Sequence, residues 1–183
     1  DVALFAVLIV LNGVFAMSEI SLVTSRRARL QRLIDDKVAG AERARELNAD
    51  PNRALSTIQV GITSIGILSG IVGESALARP MEAFLVMVGL SPETAKAIGL
   101  FVVVVLITYF SIVMGELVPK RIGQISPERI ACRLAPPIHC LSIIAAPFVK
   151  LLSASTHLLL KRLGISETQG SSVTEEEIHA MIE

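Results

Sequence analysis

The sequence predicts an all-α integral membrane protein with three transmembrane helices and its N-terminus outside, joined by belt helices that are re-entrant or lie in the membrane interface. Three observations carry that expectation. Of 183 residues, 52% are hydrophobic and only 19% charged, which is too apolar for an ordinary soluble domain. The apolar residues gather in blocks long enough to cross a bilayer. The 17 basic residues lie outside the three principal blocks, in segments of very unequal charge. The same composition excludes other classes. A formal net charge of zero without a basic tail argues against a nucleic-acid partner. Cys132 and Cys140 have neither zinc nor redox spacing, so they read as two buried or lipid-facing thiols.

The first block covers residues 2–23 and is apolar apart from Asn12, Ser18, Glu19 and Ser21. At 1.5 Å per residue, about 20 helical residues cover a hydrocarbon core of about 30 Å. A signal peptide would need a basic leader and a small-residue cleavage site. This block instead runs into Arg26, Arg27, Arg29 and Arg32. Residues 26–46 then read as one amphipathic helix, with Leu30, Leu33, Ile34, Val38 and Ala41 at helical spacing. Asp50-Pro51-Asn52 turns the chain into a second block, residues 55–72, whose glycines and small hydroxyl residues let other helices approach closely. The third block, residues 97–118, holds the most hydrophobic run of the chain, and Pro119 should end or kink it.

Eight basic residues lie in residues 24–53, two in residues 74–96 and four in residues 119–133. By the positive-inside rule the first and last of these segments are cytoplasmic. A fourth apolar stretch, residues 134–160, is interrupted by Pro136, Pro137 and Pro147 and flanked on both sides by basic residues, which favours a re-entrant hairpin or an interfacial helix over a fourth span. Residues 1–165 thus form a membrane domain, and residues 166–183 a linker and the start of an acidic helix. Thr174 and Glu177 give that helix a capping-box signature, and a soluble cytoplasmic portion is expected to follow it.

Two carboxylates, Glu19 and Glu116, fall inside apolar blocks, where an acid is costly and marks a functional site unless it snorkels to the interface. No Lys, Arg or His lies inside the blocks to pair with them, so each should be protonated, face water or meet a cation from solution. Gly115 exposes backbone beside Glu116, and Pro119 frees a carbonyl one turn earlier, which would add oxygen ligands for a hard cation. Ser18 and Ser21 on the first span, with Thr63, Ser64 and Gly66 on the second, complete the candidate site if the helices bring them together. His139, His157 and His179 show no metal-ligand pairing and no nucleophile has a positioned base, so an enzyme finds little support.

Several motifs resemble one family as a set: Phe15-Ala-Met-Ser-Glu-Ile-Ser21, Ser56-Thr-Ile-Gln-Val-Gly-Ile-Thr63, Gly70-Ile-Val-Gly-Glu74, Gly115-Glu-Leu-Val-Pro-Lys-Arg-Ile-Gly123 and Pro127-Glu-Arg-Ile130. In this order they look like the transmembrane domain of the CorC/CNNM family, whose bacterial members are often labelled hemolysin-like. The closing Val-Thr-Glu-Glu-Glu-Ile leads, in that family, to an acidic bundle and a pair of ATP-binding CBS domains. The resemblance implies a homodimer in the cell's cytoplasmic membrane, with its C-terminus cytoplasmic, that exports Mg²⁺, or Co²⁺, with Na⁺ entry as driving force. It implies a metal site formed by Ser18, Gly115 and Glu116, with Pro119 and Lys120 completing the third-span motif. The second span departs from the family pattern: where members carry Gly-Asn-Thr followed by a further Asn, this chain has Gly61-Ile62-Thr63 and then Gly66. That departure weakens the expected Mg²⁺ coordination. Export of organic cations such as cadaverine or putrescine is the alternative, and a non-transporting membrane sensor or scaffold is a third reading.

Overall fold

A computed structural model describes residues 1–163; the linker, the acidic helix and its capping box lie outside the described residues. The described residues are helical and contain no strand. The chain divides at Val149, with Asp1–Val149 as one unit and the residues from Lys150 onward belonging to a second. We number the helices in chain order. Helix α1 spans Val2–Thr24, α2 Arg27–Asp35, α3 Ala41–Ala49, α4 Pro51–Met87 and α5 Pro92–Ile112. A π-helical turn, Val113–Leu117, joins α5 to α6, Val118–Ile125, and α7 spans Pro127–Arg162.

Helix α1 packs on α4, on the π-turn and on α6, and α4 also packs on α5. Close approaches set the registers. A Cβ on Gly61 of α4 would collide with the Phe15 ring of α1, and one on Gly73 would lie 2.8 Å from Ile107 Cδ1 and 3.0 Å from Phe5 Cε2. Phe5, Val103 and Ile107 form the intramembrane packing cluster, with Ile9, Val72, Leu77 and Met81 around it. The outward faces are apolar too: Val10, Ile67, Phe84, Phe101 and Tyr109 are exposed. This is the pattern expected where lipid, rather than water, is the solvent.

The second block is part of a longer helix than its apolar residues suggest. Helix α4 has 37 residues, about 55 Å, so it extends beyond or tilts within a core of about 30 Å. Asp50 accepts the Arg53 N–H at 3.3 Å and Pro51 occupies the first turn, as an N-terminus requires. At the other end Gly89, with φ 104°, closes a Schellman motif: Leu90 N–H donates to Leu85 O and Gly89 N–H to Val86 O.

Three local expectations are corrected. The segment after α1 is two short helices rather than one, because the chain turns at Lys37 (φ 55°) and Gly40 (φ 80°). Gly40 is required there twice over, since its left-handed backbone disfavours a side chain and a Cβ would run into the Cys132 carbonyl. The turn lets α2 and α3 fold back so that Leu30, Ala41, Ala44 and Leu47 join Leu22, Ile58, Ala131, Cys132, Ala135 and Ile138 in a second core. Buried Glu128 fastens this core, accepting the Arg26 N–H at 3.3 Å and lying 3.8 Å from Arg29.

The re-entrant hairpin is also overturned. Residues 134–160 belong to a single helix, α7, which keeps Pro136, Pro137 and Pro147 within it. Ala131, Cys132, Ala135 and Ile138 recur at helical spacing on its buried side. Among the described residues, four helical stretches, Val2–Thr24, Pro51–Met87, Pro92–Ile125 and Pro127–Arg162, are long and apolar enough to cross a membrane. Of the end or kink expected at Pro119, finally, the end is excluded: a π-turn before it carries the helix on into α6.

Candidate functional site

The site is built where α1 lies against the π-turn and α6. Three residues at four-residue spacing on that side of the third stretch, Gly115, Pro119 and Gly123, are buried. A Cβ on Gly115 would lie 3.1 Å from Asn12 Nδ2, and one on Gly13 would lie 2.9 Å from Pro119 Cγ. A Cβ on Gly123 would collide with Ile20 and lie 3.0 Å from Met17 O. Such contacts bring backbones together as small residues do in membrane helix pairs.

Pro119 has no N–H, so in an α-helical register the Gly115 carbonyl would lose its donor. Asn12 Nδ2 supplies one at 3.1 Å. The expected free carbonyl is therefore occupied, and the donor is a residue that the sequence reading passed over. Asn12 Oδ1, in turn, is buried and has no hydrogen-bond partner among the described residues.

The carboxylates do have a cation, contrary to expectation. Lys120 Nζ lies 3.2 Å from Glu19 Oε2 and 3.5 Å from Glu116 Oε1. Lys120 sits just past the third apolar block, but the continuing helix places it one turn after Glu116, at i+4, and α1 brings Glu19 to the same point. The side chains of Glu19, Lys120 and Glu116 are 28%, 35% and 37% exposed, while Glu19 Oε2, the oxygen that faces Lys120, is itself buried.

The hydroxyl residues divide. Ser18, only 1% exposed, donates to Val14 O at 2.7 Å. Ser21, also buried, donates to Met17 O at 2.6 Å and lies 3.4 Å from Gly123 O. Both are on the helix that carries Glu19; the Ser18 proton is used within that helix, and Ser21 donates both within it and across to Gly123 O. Thr63, Ser64 and Gly66 are exposed on α4, and no hydrogen bond or ion pair joins them to Glu19, Glu116 or Lys120 among the described residues. Gly66 has open space where a side chain would be. Cys132 is buried and Cys140 exposed, both as free thiols.

Several apolar helices, with a carboxylate pair and an ammonium set in two of them, define a multi-pass helical membrane protein with an ionic cluster inside its packed helices. The chain belongs to the CorC/CNNM family: the model of the cyclin M transmembrane N-terminal domain matches residues 3–183. It is 45% identical over 177 residues to the UPF0053 protein sll0260 of Synechocystis sp., covering 97% of this chain and 40% of that protein. It is 33% identical to the UPF0053 protein YhdT of Bacillus subtilis, covering 98% of this chain and 39% of that one. It is 28% identical to the polyamine export protein of Escherichia coli K12, covering 96% of this chain and 39% of that one. The chain thus spans about two-fifths of the length of these relatives.

Proposed function

We propose that this domain moves cations across the membrane, with Glu19 and Glu116 as the groups that take the cation and an organic dication of the diamine type as the substrate. The observation that carries this reading is the Lys120 ammonium between the two carboxylates, at 3.2 and 3.5 Å. A pair of acids that holds one primary ammonium has the chemistry to hold another. The name of the Escherichia coli relative, a polyamine export protein, points the same way.

Export of Mg²⁺ or Co²⁺ is the second reading, supported by Ser18, Gly115 and Glu116 as metal ligands. A dehydrated Mg²⁺ asks for near-octahedral oxygens. Here the Gly115 carbonyl is bonded to Asn12, Ser18 is sealed, and Thr63 and Ser64 are exposed on α4 with no hydrogen bond to the carboxylates among the described residues. That arrangement moves the organic cation ahead. Na⁺ entry as driving force, the homodimer and a CBS-containing cytoplasmic portion remain part of the proposal. So do an outside N-terminus, a cytoplasmic C-terminus and location in the cell's cytoplasmic membrane. In this reading α1, α4 and the α5–α6 stretch span the bilayer, while α2, α3 and α7 form a belt against lipid headgroups.

The test is a vesicle flux assay on the full-length protein, comparing cadaverine, putrescine and Mg²⁺ with and without a Na⁺ gradient. Diamine flux that falls at least about tenfold in Glu116→Gln is expected, since an opposite charge at this range changes a group's ionic affinity by that order. Mg²⁺ flux without diamine flux would replace the first reading by the second. No flux of either would leave a sensor or scaffold.

A further inference from the structure

We propose that Lys120 is a tethered counter-cation: in the empty transporter its ammonium holds the place between Glu19 and Glu116 that substrate takes, and its displacement selects for cations of charge two. The inference rests on the carboxylate pair being the transport site, and it adds a role for Lys120 that the pair alone does not imply.

The contacts have the geometry of an occupant that can leave. A strong ammonium–carboxylate hydrogen bond is about 2.7–2.9 Å long. Lys120 lies 3.2 Å from Glu19 in a charge contact, and its hydrogen bond to Glu116 is at 3.5 Å. The lysine stem is flexible and its ammonium strongly hydrated, so it can swing toward water at the end of the span while its methylenes stay on the helix. A separate feature lies further along the same helix contact. Asn12 donates to the carbonyl of Gly115, the residue before Glu116, and its buried Oδ1 lacks a hydrogen-bond partner among the described residues, leaving an unused acceptor beside the π-turn.

Charge arithmetic then gives the selectivity. Two ionised carboxylates and one ammonium leave a net charge of −1. A monovalent ion that displaces Lys120 exchanges one positive charge for another and leaves the pair half-neutralised. A dication neutralises both acids and removes the remaining repulsion between them. A diamine presents, in addition, the same terminal group that the pair already holds. Without the tether a monovalent cation would meet an empty pair of charge −2 and bind without competition.

The experiment uses the full-length protein in nanodiscs and measures binding of cadaverine and of butylamine by calorimetry, in the wild type, Lys120→Gln and Lys120→Arg. Loss of the tether should raise butylamine affinity about tenfold or more, the usual effect of one neighbouring charge, and should narrow the preference for the diamine. Lys120→Arg, which keeps the charge, should retain the preference. An unchanged preference in Lys120→Gln, or weaker binding of both amines, overturns the proposal. A second measurement is independent of substrate identity: the acetylation rate of Lys120, followed by mass spectrometry, should rise in Glu19→Gln. Failure of every amine to bind, with that rise present, would reject the substrate reading and keep the tether. No rise would reject the tether.

Discussion

At the scale of single residues, the decisive contact joins Asn12 to Gly115. Pro119 cannot donate to the carbonyl one turn before it, and the Asn12 amide, from another helix, donates to that carbonyl at 3.1 Å. Replacing Asn12 by Leu removes that buried hydrogen bond, at a cost of about 0.5–1.5 kcal/mol. A lower thermal midpoint in detergent is the expected outcome; an unchanged midpoint would mean that the bond contributes nothing. Gly123→Ala should also destabilise, by about 1–3 kcal/mol, because its methyl would meet Ile20 and the Met17 carbonyl in a packed seam. Some of this was legible. Glu19 and Glu116 stand out in apolar blocks, and Pro119 announces a broken ladder. Asn12 was visible as a polar exception but had no reading of its own, because its use depends on a carbonyl 103 positions away. Lys120 was excluded by a block boundary drawn at Val118, although its i,i+4 spacing from Glu116 was in the sequence.

At the scale of elements, the helical periodicity of residues 26–46 was real but did not show the turn within it. The clue was Gly40: left-handed φ and contact with the Cys132 carbonyl make it the point where α3 starts and docks on α7. Gly40→Ala should destabilise by at least about 1–2 kcal/mol from backbone conformation alone, seen as lost expression or a lower thermal midpoint. Helix α7 illustrates the opposite error. Its prolines suggested breaks, whereas helix geometry continues through all three. If α7 is a belt helix, cysteines placed at Arg129 and Arg162, in a background lacking Cys132 and Cys140, should both react with an impermeant maleimide from the cytoplasmic side. Reaction from opposite sides would make α7 a fourth span.

At the scale of the whole molecule, hydropathy and charge segregation identify the membrane as solvent, and the exposed apolar faces of α1, α4 and α5 agree. The exposed polar run Thr63–Ser64 has no such explanation in a single chain. In the homodimer we propose, α4 meets its copy there, so Thr63→Cys in a cysteine-free background should give an oxidised dimer in membranes. Only monomer would argue against α4 as the interface. Helix type, approximate span positions and the two suspect acids were determined by the sequence itself, because composition along the chain governs burial in lipid and local spacing governs helix formation. Which charged groups meet at the site was decided only by tertiary structure. Its ammonium and its two carboxylates come from two packed helices, and glycine-lined contacts between those helices bring the three groups to one point.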